Sequence, residues 1–375
     1  MSTCRIRDNS KRSKSIVDYG IHPSVEQAST LPSRFYTGQE DFDRSLDSIF
    51  ARSWQWVGDA SLAKVPGQVS PITLLEGSLN EPIVLTRTMD DHVHCLSNVC
   101  THRGNIICEG ASNERFLRCR YHGKRFGLDG KFQHMPEFDQ AQGFPSEKDD
   151  LPRVPFATWK GLAFAGVAPI CPLEEWLKPM IDRIGWMPIE QFVFDAAGQR
   201  DYMVRGHWAL YVDNYLEGFH IPFIHADLNA VIDYGNYTNE LERYLNLQLA
   251  VGKGSDDVFD LPPSSPDYGK TISAYYYWVF PNLMFNFYPW GLSINVVRPL
   301  APDRTKVTFY PYVWDESKRG RGAGAALDRV EREDEAVVEL VQKGLRSRFY
   351  DRGRYSPERE AGVHHFHRLI QEFMA

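Results

Sequence analysis

The sequence predicts an α+β protein: a small all-β module inserted near the N-terminal end of a larger domain, itself an antiparallel sheet packed on helices. Three observations lead there. Between Ser53 and about Ala168 short β runs are separated by turns. A second β-rich stretch follows much later, from Ser273 to Trp314. Around that stretch lie segments of helical period, which gives the sheet helices to pack on.

Taken in order, residues 1–52 form an N-terminal tail and a helix that packs with the larger domain. Met1 to Ser15 is polar, with Arg5, Arg7, Lys11, Arg12 and Lys14 and no apolar core, so a disordered tail is expected rather than a secretory signal. The helix is expected over Glu40–Arg52. The β module spans 53–168, with runs at Ser53–Gly58, Gln68–Leu75, Pro82–Arg87 and His92–Asn98 and a turn at Asp129-Gly130. The larger domain spans 169–375. It contributes a helical segment at Gly206–His220, strands at Ser273–Tyr288, Leu292–Pro299 and Thr305–Trp314, and a long helix from about Ala325 to Phe349. The turn Ala301-Pro302-Asp303 joins the last two strands into a hairpin.

Size and composition agree with this division. A chain of 375 residues is long for one core and suits two domains. With 43% hydrophobic and 24% charged residues it has a globular profile. A net charge of −7 argues against nucleic acid as the main partner. The longest apolar stretch, Gly161 to Leu173, is broken by Pro169 and Pro172 and falls short of the roughly 18 residues a membrane span needs. It reads as buried strand. Six cysteines are too few for a disulfide framework. Cys4, Cys95, Cys108 and Cys171 show no pattern and are expected as free thiols in a reducing cytoplasm.

The remaining two cysteines carry the strongest signal. Cys100-Thr101-His102 is followed, after sixteen residues, by Cys119-Arg120-Tyr121-His122. A zinc finger usually puts its cysteines in one loop and its histidines in another. Here each loop supplies one thiolate and one imidazole. Mixed pairs suit a binuclear cluster in which both cysteines hold one iron and both histidines the other, the Rieske 2Fe–2S arrangement. Gly104, Gly123 and Gly127 allow close backbone approach. Cys108 and His134 lie nearby but do not fit the two-loop geometry, and are expected as a buried thiol and a surface imidazole.

A second metal signature lies about a hundred residues on. In the segment Asp213 to His225, Glu217 and His220 are three apart and would share a helix face. Pro222 should stop or kink that helix, letting His225 fold back towards His220. Two histidines and a carboxylate make the facial triad of non-haem Fe(II) oxygenases. For the carboxylate, the long helix offers an apolar stripe of Leu327, Val330, Val337, Val341 and Leu345. Asp334 falls in the vacant core-facing position of that stripe, whereas Glu331, Glu333 and Glu335 are expected mostly towards solvent. A carboxylate on a buried stripe is costly unless paired or metal-bound.

With both motifs in hand, residues 35 to 375 resemble the α-subunits of Rieske ring-hydroxylating oxygenases and their relatives. The resemblance implies a Rieske domain inserted in a helix-grip catalytic domain, assembled head-to-tail as a homotrimer. It implies Cys100, His102, Cys119 and His122 as cluster ligands and His220, His225 and Asp334 as ligands of a mononuclear iron. Glu217 matches the acid that bridges the cluster of one subunit to the iron of the next; Asp213 is the other carboxylate considered there. The bridge is commonly Asp in ring-hydroxylating dioxygenases, and Glu is similar to what carnitine- and betaine-type oxygenases use. The tail, with Glu333-Asp334, Val341-Gln342-Lys343-Gly344-Leu345, Gly353-Arg354 and His364-His365-Phe366-His367, is similar to that of choline monooxygenase. His364, His365 and His367 receive no metal role; a His-rich terminal helix packing near the site is expected. Lys124 stands where many relatives carry Trp, and with Arg120 and Arg125 it would form a basic patch suited to an acidic electron donor.

The function so implied is O₂-dependent hydroxylation, with electrons from NAD(P)H through a separate reductase or ferredoxin. A non-enzymatic Rieske electron carrier is the competing reading from another class, and it has no use for His220, His225 and Asp334. For the substrate, the aromatic run Tyr275, Tyr276, Tyr277, Trp278, Phe280, Phe285, Phe287, Tyr288 and Trp290 holds faces that attract a quaternary ammonium group. Phe285, Phe287 and Trp290 lie on the stretch that lines the cavity in relatives. A small choline-, betaine- or carnitine-like compound is favoured, and an aromatic ring is the alternative.

Overall fold

The computed structural model describes residues 17–225, 238–252, 258–321 and 327–375. The tail Met1–Ser15, and Cys4 with it, lies outside the described residues. Two compact units emerge, one of residues 51–170 and one of residues 17–50 together with 171–375. No helix among the described residues is long and apolar enough to cross a membrane.

The smaller unit follows the helices α1 (Ser33–Thr37) and α2 (Gln39–Ser48) and is all β. Strands β1 (Gln55–Asp59), β2 (Gln68–Leu74), β3 (Glu81–Arg87) and β4 (Val93–Ser97) are followed by the short β5 (Ser112–Asn113), β6 (Leu117–Arg118), β7 (Arg125–Phe126) and β8 (Phe132–His134). Then come β9 (Phe156–Trp159) and β10 (Leu162–Ala165). They make three antiparallel sheets, ordered β1-β10-β9, β4-β3-β2-β5 and β6-β7-β8. The run Ile83-Val84-Leu85 is apolar without alternation because β3 is buried on both faces. Val84 enters a cluster with Val69, Leu96, Leu117, Phe126 and Leu128, and Cys100 and Cys119 belong to that same cluster. Ile83 and Leu85 enter a second cluster with Leu74 and Cys95, whose thiol burial pushes up to about 12.

In the larger unit α3 (Leu173–Ile184) leads to β11 (Val193–Phe194), β12 (Arg200–Val204), α4 (Trp208–Tyr215) and α5 (Ile221–Ile224). Strands β13 (Thr238–Leu241), β14 (Leu245–Val251), β15 (Ile272–Val279), β16 (Leu283–Tyr288), β17 (Gly291–Ala301) and β18 (Arg304–Val313) follow, then α6 (Leu327–Gly344) and α7 (Ala361–Met374). All eight strands form one antiparallel sheet, ordered β11-β18-β17-β16-β15-β14-β13, with β12 also paired to β18. The hairpin at Ala301 is as expected, with Ala301 opposite Arg304. The N-terminal segment runs beside 351–354, where Thr30 and Gly353 share a backbone hydrogen bond.

The pleat gives the sheet two different faces. Gln248, Tyr276, Asn286 and Ser293 stand in register across β14 to β17, and so form one polar row. Tyr215, at the end of α4, donates to Asn286 and accepts from Gln248 through its carbonyl, so α4 ends on this face. The alternate rows, Leu247-Tyr277-Phe285-Ile294 and Leu249-Tyr275-Phe287-Leu292, point the other way. There Asp267, fully buried, joins Tyr275 to Arg183 of α3. Phe285 and Phe287 therefore face away from α4. Trp290 instead stacks on Tyr288, which meets Tyr276 edge-on, on the polar-row side.

Two helical expectations also change. The segment expected as one helix over Gly206–His220 stops at Tyr215, because Gly218 favours a helix end and Pro222 belongs in the first turn of the next helix, α5. The buried line of α6 is displaced by one residue: Glu331, Val338 and Gln342 are buried, whereas Val341 is 42% exposed. This helix packs on polar partners. Glu331 accepts from the Tyr211 hydroxyl, and Gln342 accepts from the His207 N–H and donates to the Tyr36 carbonyl. A seam of that kind leaves little trace in apolar periodicity.

Candidate metal centres

The loops at Cys100 and Cys119 are built alike. In each, the N–H of the glycine four residues on (Gly104, Gly123) donates to the cysteine carbonyl, at 3.0 Å in both. In each, the cysteine N–H donates to the carbonyl of the fifth residue, Asn105 at 2.8 Å or Lys124 at 2.9 Å. Both glycines have φ +75°, a conformation costly for any side chain. The paired turns bring the His102 and His122 rings to 4.8 Å. They also leave Cys100 and Cys119 together in the apolar cluster, with Asn105 Nδ2 3.7 Å from the Cys119 sulfur. His122 Nδ1 is buried with no hydrogen-bond partner in the structure. An orphaned imidazole nitrogen beside two buried thiols fits a bound iron–sulfur cluster. His134 is exposed, as expected, whereas Cys108 is half-buried rather than buried. Lys124 does not join a surface patch with Arg120 and Arg125. It is buried, because Asp149 and Thr101 offer its ammonium partners inside the unit.

In the larger unit His220, His225 and Asp334 offer ligand atoms that all lie within 4.8 Å of one another. Asp334 Oδ1 is 3.4 Å from His220 Nε2 and 2.9 Å from His225 Nε2. The Nδ1 atoms point outward to other carboxylates, His220 to Glu217 at 2.6 Å and His225 to Glu333 at 2.7 Å. Each imidazole is thus oriented by one acid and turns its free nitrogen to a shared point, the arrangement by which carboxylates position metal-binding histidines. Glu217 and His220 meet without a helix between them. In the turn after α4 the Glu217 carboxylate accepts both the His220 N–H, at 3.0 Å, and its Nδ1–H. The gap between α4 and α5 then brings His225 back, as the C-cap of α5.

Burial depresses the His225 imidazole, but the carboxylates of Asp334 and Glu333 outweigh it and hold its pKa above the usual value. Glu333 was expected in solvent. Its role in orienting His225 was missed because nothing local marks it; the one available signal was an acid beside a candidate ligand. Glu331, also expected in solvent, is buried, and burial pushes its carboxyl up to about 8. Asp213 is engaged on both oxygens, by His367 Nε2 at 2.8 Å and Tyr36 Oη at 2.9 Å, while the Tyr355 hydroxyl meets His367 Nδ1 at 2.6 Å. His367 is thus part of the packing of α7, with no metal role.

Both units match known protein families. Residues 53–145 match the Rieske [2Fe-2S] domain family, and residues 194–375 match the ring hydroxylating alpha subunit (catalytic domain) family. The chain is 29% identical to choline monooxygenase, chloroplastic, of Arabidopsis thaliana, over 96% of this chain and 86% of that one. It is 27% identical to the carnitine monooxygenase oxygenase subunit of Escherichia coli (strain K12), over 92% and 94%. The fold superposes on a quaternary ammonium Rieske monooxygenase in complex with L-carnitine, with TM-score 0.74 at 21% identity over 96% of this chain and 100% of that one. It also superposes on naphthalene 1,2-dioxygenase, with TM-score 0.69 at 18% identity over 96% and 94%. A Rieske iron–sulfur domain and a ring-hydroxylating catalytic domain in one chain define an oxygenase, and the chain belongs to the Rieske non-haem iron oxygenases. It is an oxygen-incorporating oxidoreductase that uses a Rieske 2Fe–2S cluster and a mononuclear iron, of a family whose members use a reductase or ferredoxin as partner.

Proposed function

We propose that the chain hydroxylates a small quaternary ammonium compound at a carbon, releasing formaldehyde when that carbon is an N-methyl group. The supporting observation is the convergence of His220 Nε2, His225 Nε2 and Asp334 Oδ1 on one point, in a chain similar along its length to choline and carnitine monooxygenases. In this reading His220, His225 and Asp334 hold the iron, which supplies O₂ activation, and Cys100, His102, Cys119 and His122 hold the cluster. Glu217 and Glu333 keep both imidazoles in the tautomer that presents Nε2. Glu217 also links His220 to His122 of a neighbouring subunit in a head-to-tail homotrimer. Cys95 and Cys108 are free thiols, which supports a reducing compartment such as the cytoplasm.

The test supplies a competent reductase with choline, betaine and carnitine beside benzoate, phthalate and phenylpropionate, and follows O₂ uptake and products. Stimulation by an ammonium compound is expected. A cis-diol or phenol from an aromatic acid, with no response to any ammonium compound, overturns the choice of substrate. Asp334→Ala is expected to keep the cluster's colour while losing one iron of three and all turnover; full iron retention would exclude Asp334 as a ligand. Glu217→Gln is expected to keep both metals and slow electron transfer between them. A chain that sediments as a monomer when loaded with both metals would exclude the trimer.

A further inference from the structure

Lys124 closes the second cluster loop with its backbone and reaches the first with its side chain. Its carbonyl accepts the Cys119 N–H at 2.9 Å. Its side chain, only 2% exposed, runs inward, and its ammonium donates to Thr101 Oγ1 at 2.8 Å and to Asp149 Oδ1 at 3.0 Å. Thr101 lies between Cys100 and His102, and its own hydroxyl donates to the Asp149 carbonyl at 2.8 Å. Asp149 is fixed in turn, since its Oδ2 accepts from the Ser146 N–H at 2.9 Å and from the Ser146 hydroxyl at 3.1 Å. The rings of Phe126, Phe132 and Phe144 surround the ammonium, with centroids 5.5, 5.4 and 5.5 Å away. A single cation thus meets the Cys100 loop, the Cys119 loop and the turn at 146–149.

A pocket walled by three phenyl rings would take an apolar side chain without any desolvation cost. A lysine there is stable only because a carboxylate, a hydroxyl and aromatic faces all meet its charge. An ammonium has three donors and no acceptor, so it can tie two separate oxygens at once where a methyl end could tie none. We propose that Lys124 is a positioning residue for the 2Fe–2S cluster, clamping the Cys100–His102 loop to the Cys119–His122 loop and keeping a fixed positive charge beside both. This rests on reading those four residues as the cluster ligands. Two consequences follow. The loops cannot splay to release iron while the clamp is closed. The reduced cluster, one electron more negative, is stabilised by the nearby cation, so its reduction potential is held up.

The experiment uses the full chain with its cluster. It measures the half-life of the visible cluster absorbance in excess iron chelator, and the midpoint potential of the cluster. Lys124→Met is expected to shorten the half-life at least fivefold and to lower the potential. Thr101→Val removes the hydroxyl but keeps the charge, so it is expected to shorten the half-life while the potential stays near that of the unaltered chain. The double variant Lys124→Met with Asp149→Asn removes the unpaired, half-buried carboxylate, yet it still lacks the clamp and should release iron quickly. Recovery of the full half-life in that double variant would overturn the proposal, because Lys124 would then serve only to neutralise Asp149. An unchanged half-life and potential in Lys124→Met would overturn it as well. If Lys124→Met does not fold, Thr101→Val carries the test, and an unchanged half-life there has the same force. A Rieske-type spectrum absent from the unaltered chain would instead overturn the assignment of the ligands.

Discussion

At the scale of single residues the candidate iron site depends on acids that hold its histidines in place. Glu333 accepts from His225 Nδ1 at 2.7 Å and so selects which nitrogen faces Asp334. Without it the imidazole is free to rotate and is a weaker donor. Outer carboxylates of this kind contribute about 10–100-fold to metal affinity. Glu333→Ala is expected to weaken iron binding by a factor in that range, measured by competition with a ferrous chelator, while the cluster stays intact. The aromatic residues divide in the same residue-by-residue way. Tyr276, Tyr288 and Trp290 share the sheet face on which α4 ends, and α4 leads directly to Glu217 and His220. Loss of one cation–π face is worth about 0.5–2 kcal/mol. Trp290→Leu should therefore raise KM for an ammonium substrate by roughly 2- to 30-fold, and Phe287→Leu should not. A larger effect from Phe287 would show that the wrong face had been chosen.

At the scale of elements, α4 has an unusual start. His207 is its N-cap, with Nδ1 accepting the Ala209 N–H at 3.3 Å, and the ring is fully buried against Phe35, Tyr36 and Phe42. Burial pushes this imidazole down to about 3. In the unfolded chain it returns to about 6.5. Between those values unfolding takes up a proton that the folded state refuses, so stability falls as pH drops below about 6.5 and is fully present above it. The slope from this residue is at most about 1.4 kcal/mol per pH unit. His207→Asn keeps a good cap and removes the titration. Its stability is expected to depend less steeply on pH between 5 and 6.5, read from calorimetric Tm values; an equally steep loss would assign the acid sensitivity elsewhere.

At the scale of the larger unit, the two faces of the sheet are closed by different means. The polar-row face receives α4, and the packing of Phe366 on Trp278 at 5.1 Å brings α7 to the same side. The opposite face is tied down by Asp267, which accepts from Arg183 of α3, from Lys270 and from Tyr275. Its removal takes away the hydrogen bonds of three partners at a fully buried carboxylate, while Arg183 keeps Glu240 as a partner at 3.2 Å, at a cost of about 1.5–3 kcal/mol. Asp267→Ala is expected to lower the stability of this unit by that amount, seen in denaturant unfolding, with the cluster spectrum unchanged. A loss below about 0.5 kcal/mol would mean that solvent already screens the pair.

What could be read without coordinates was chemistry that is local in the chain. The mixed Cys/His pairs and the His220-His225 spacing carry their meaning within a few residues, and they named both candidate metal centres. Asp334 was also reachable, because an acid on a helix seam stands out even though the apolar stripe used to find it was displaced by one residue. The acids behind the ligands were not reachable. Glu333 meets His225 across 108 residues, and Glu331 is buried only because Tyr211 waits on another helix. Lys124 reads in the sequence as a surface charge, whereas Asp149 and Thr101 hold its ammonium inside the fold. The strands from Ile272 to Tyr288 are buried on both faces, so their residues show no alternation and the pleat could not be phased from the sequence. Residue type and spacing set which chemistry the chain can hold. Only the folded chain decided which carboxylates and rings turn towards it, because burial and pairing arise between elements far apart in sequence.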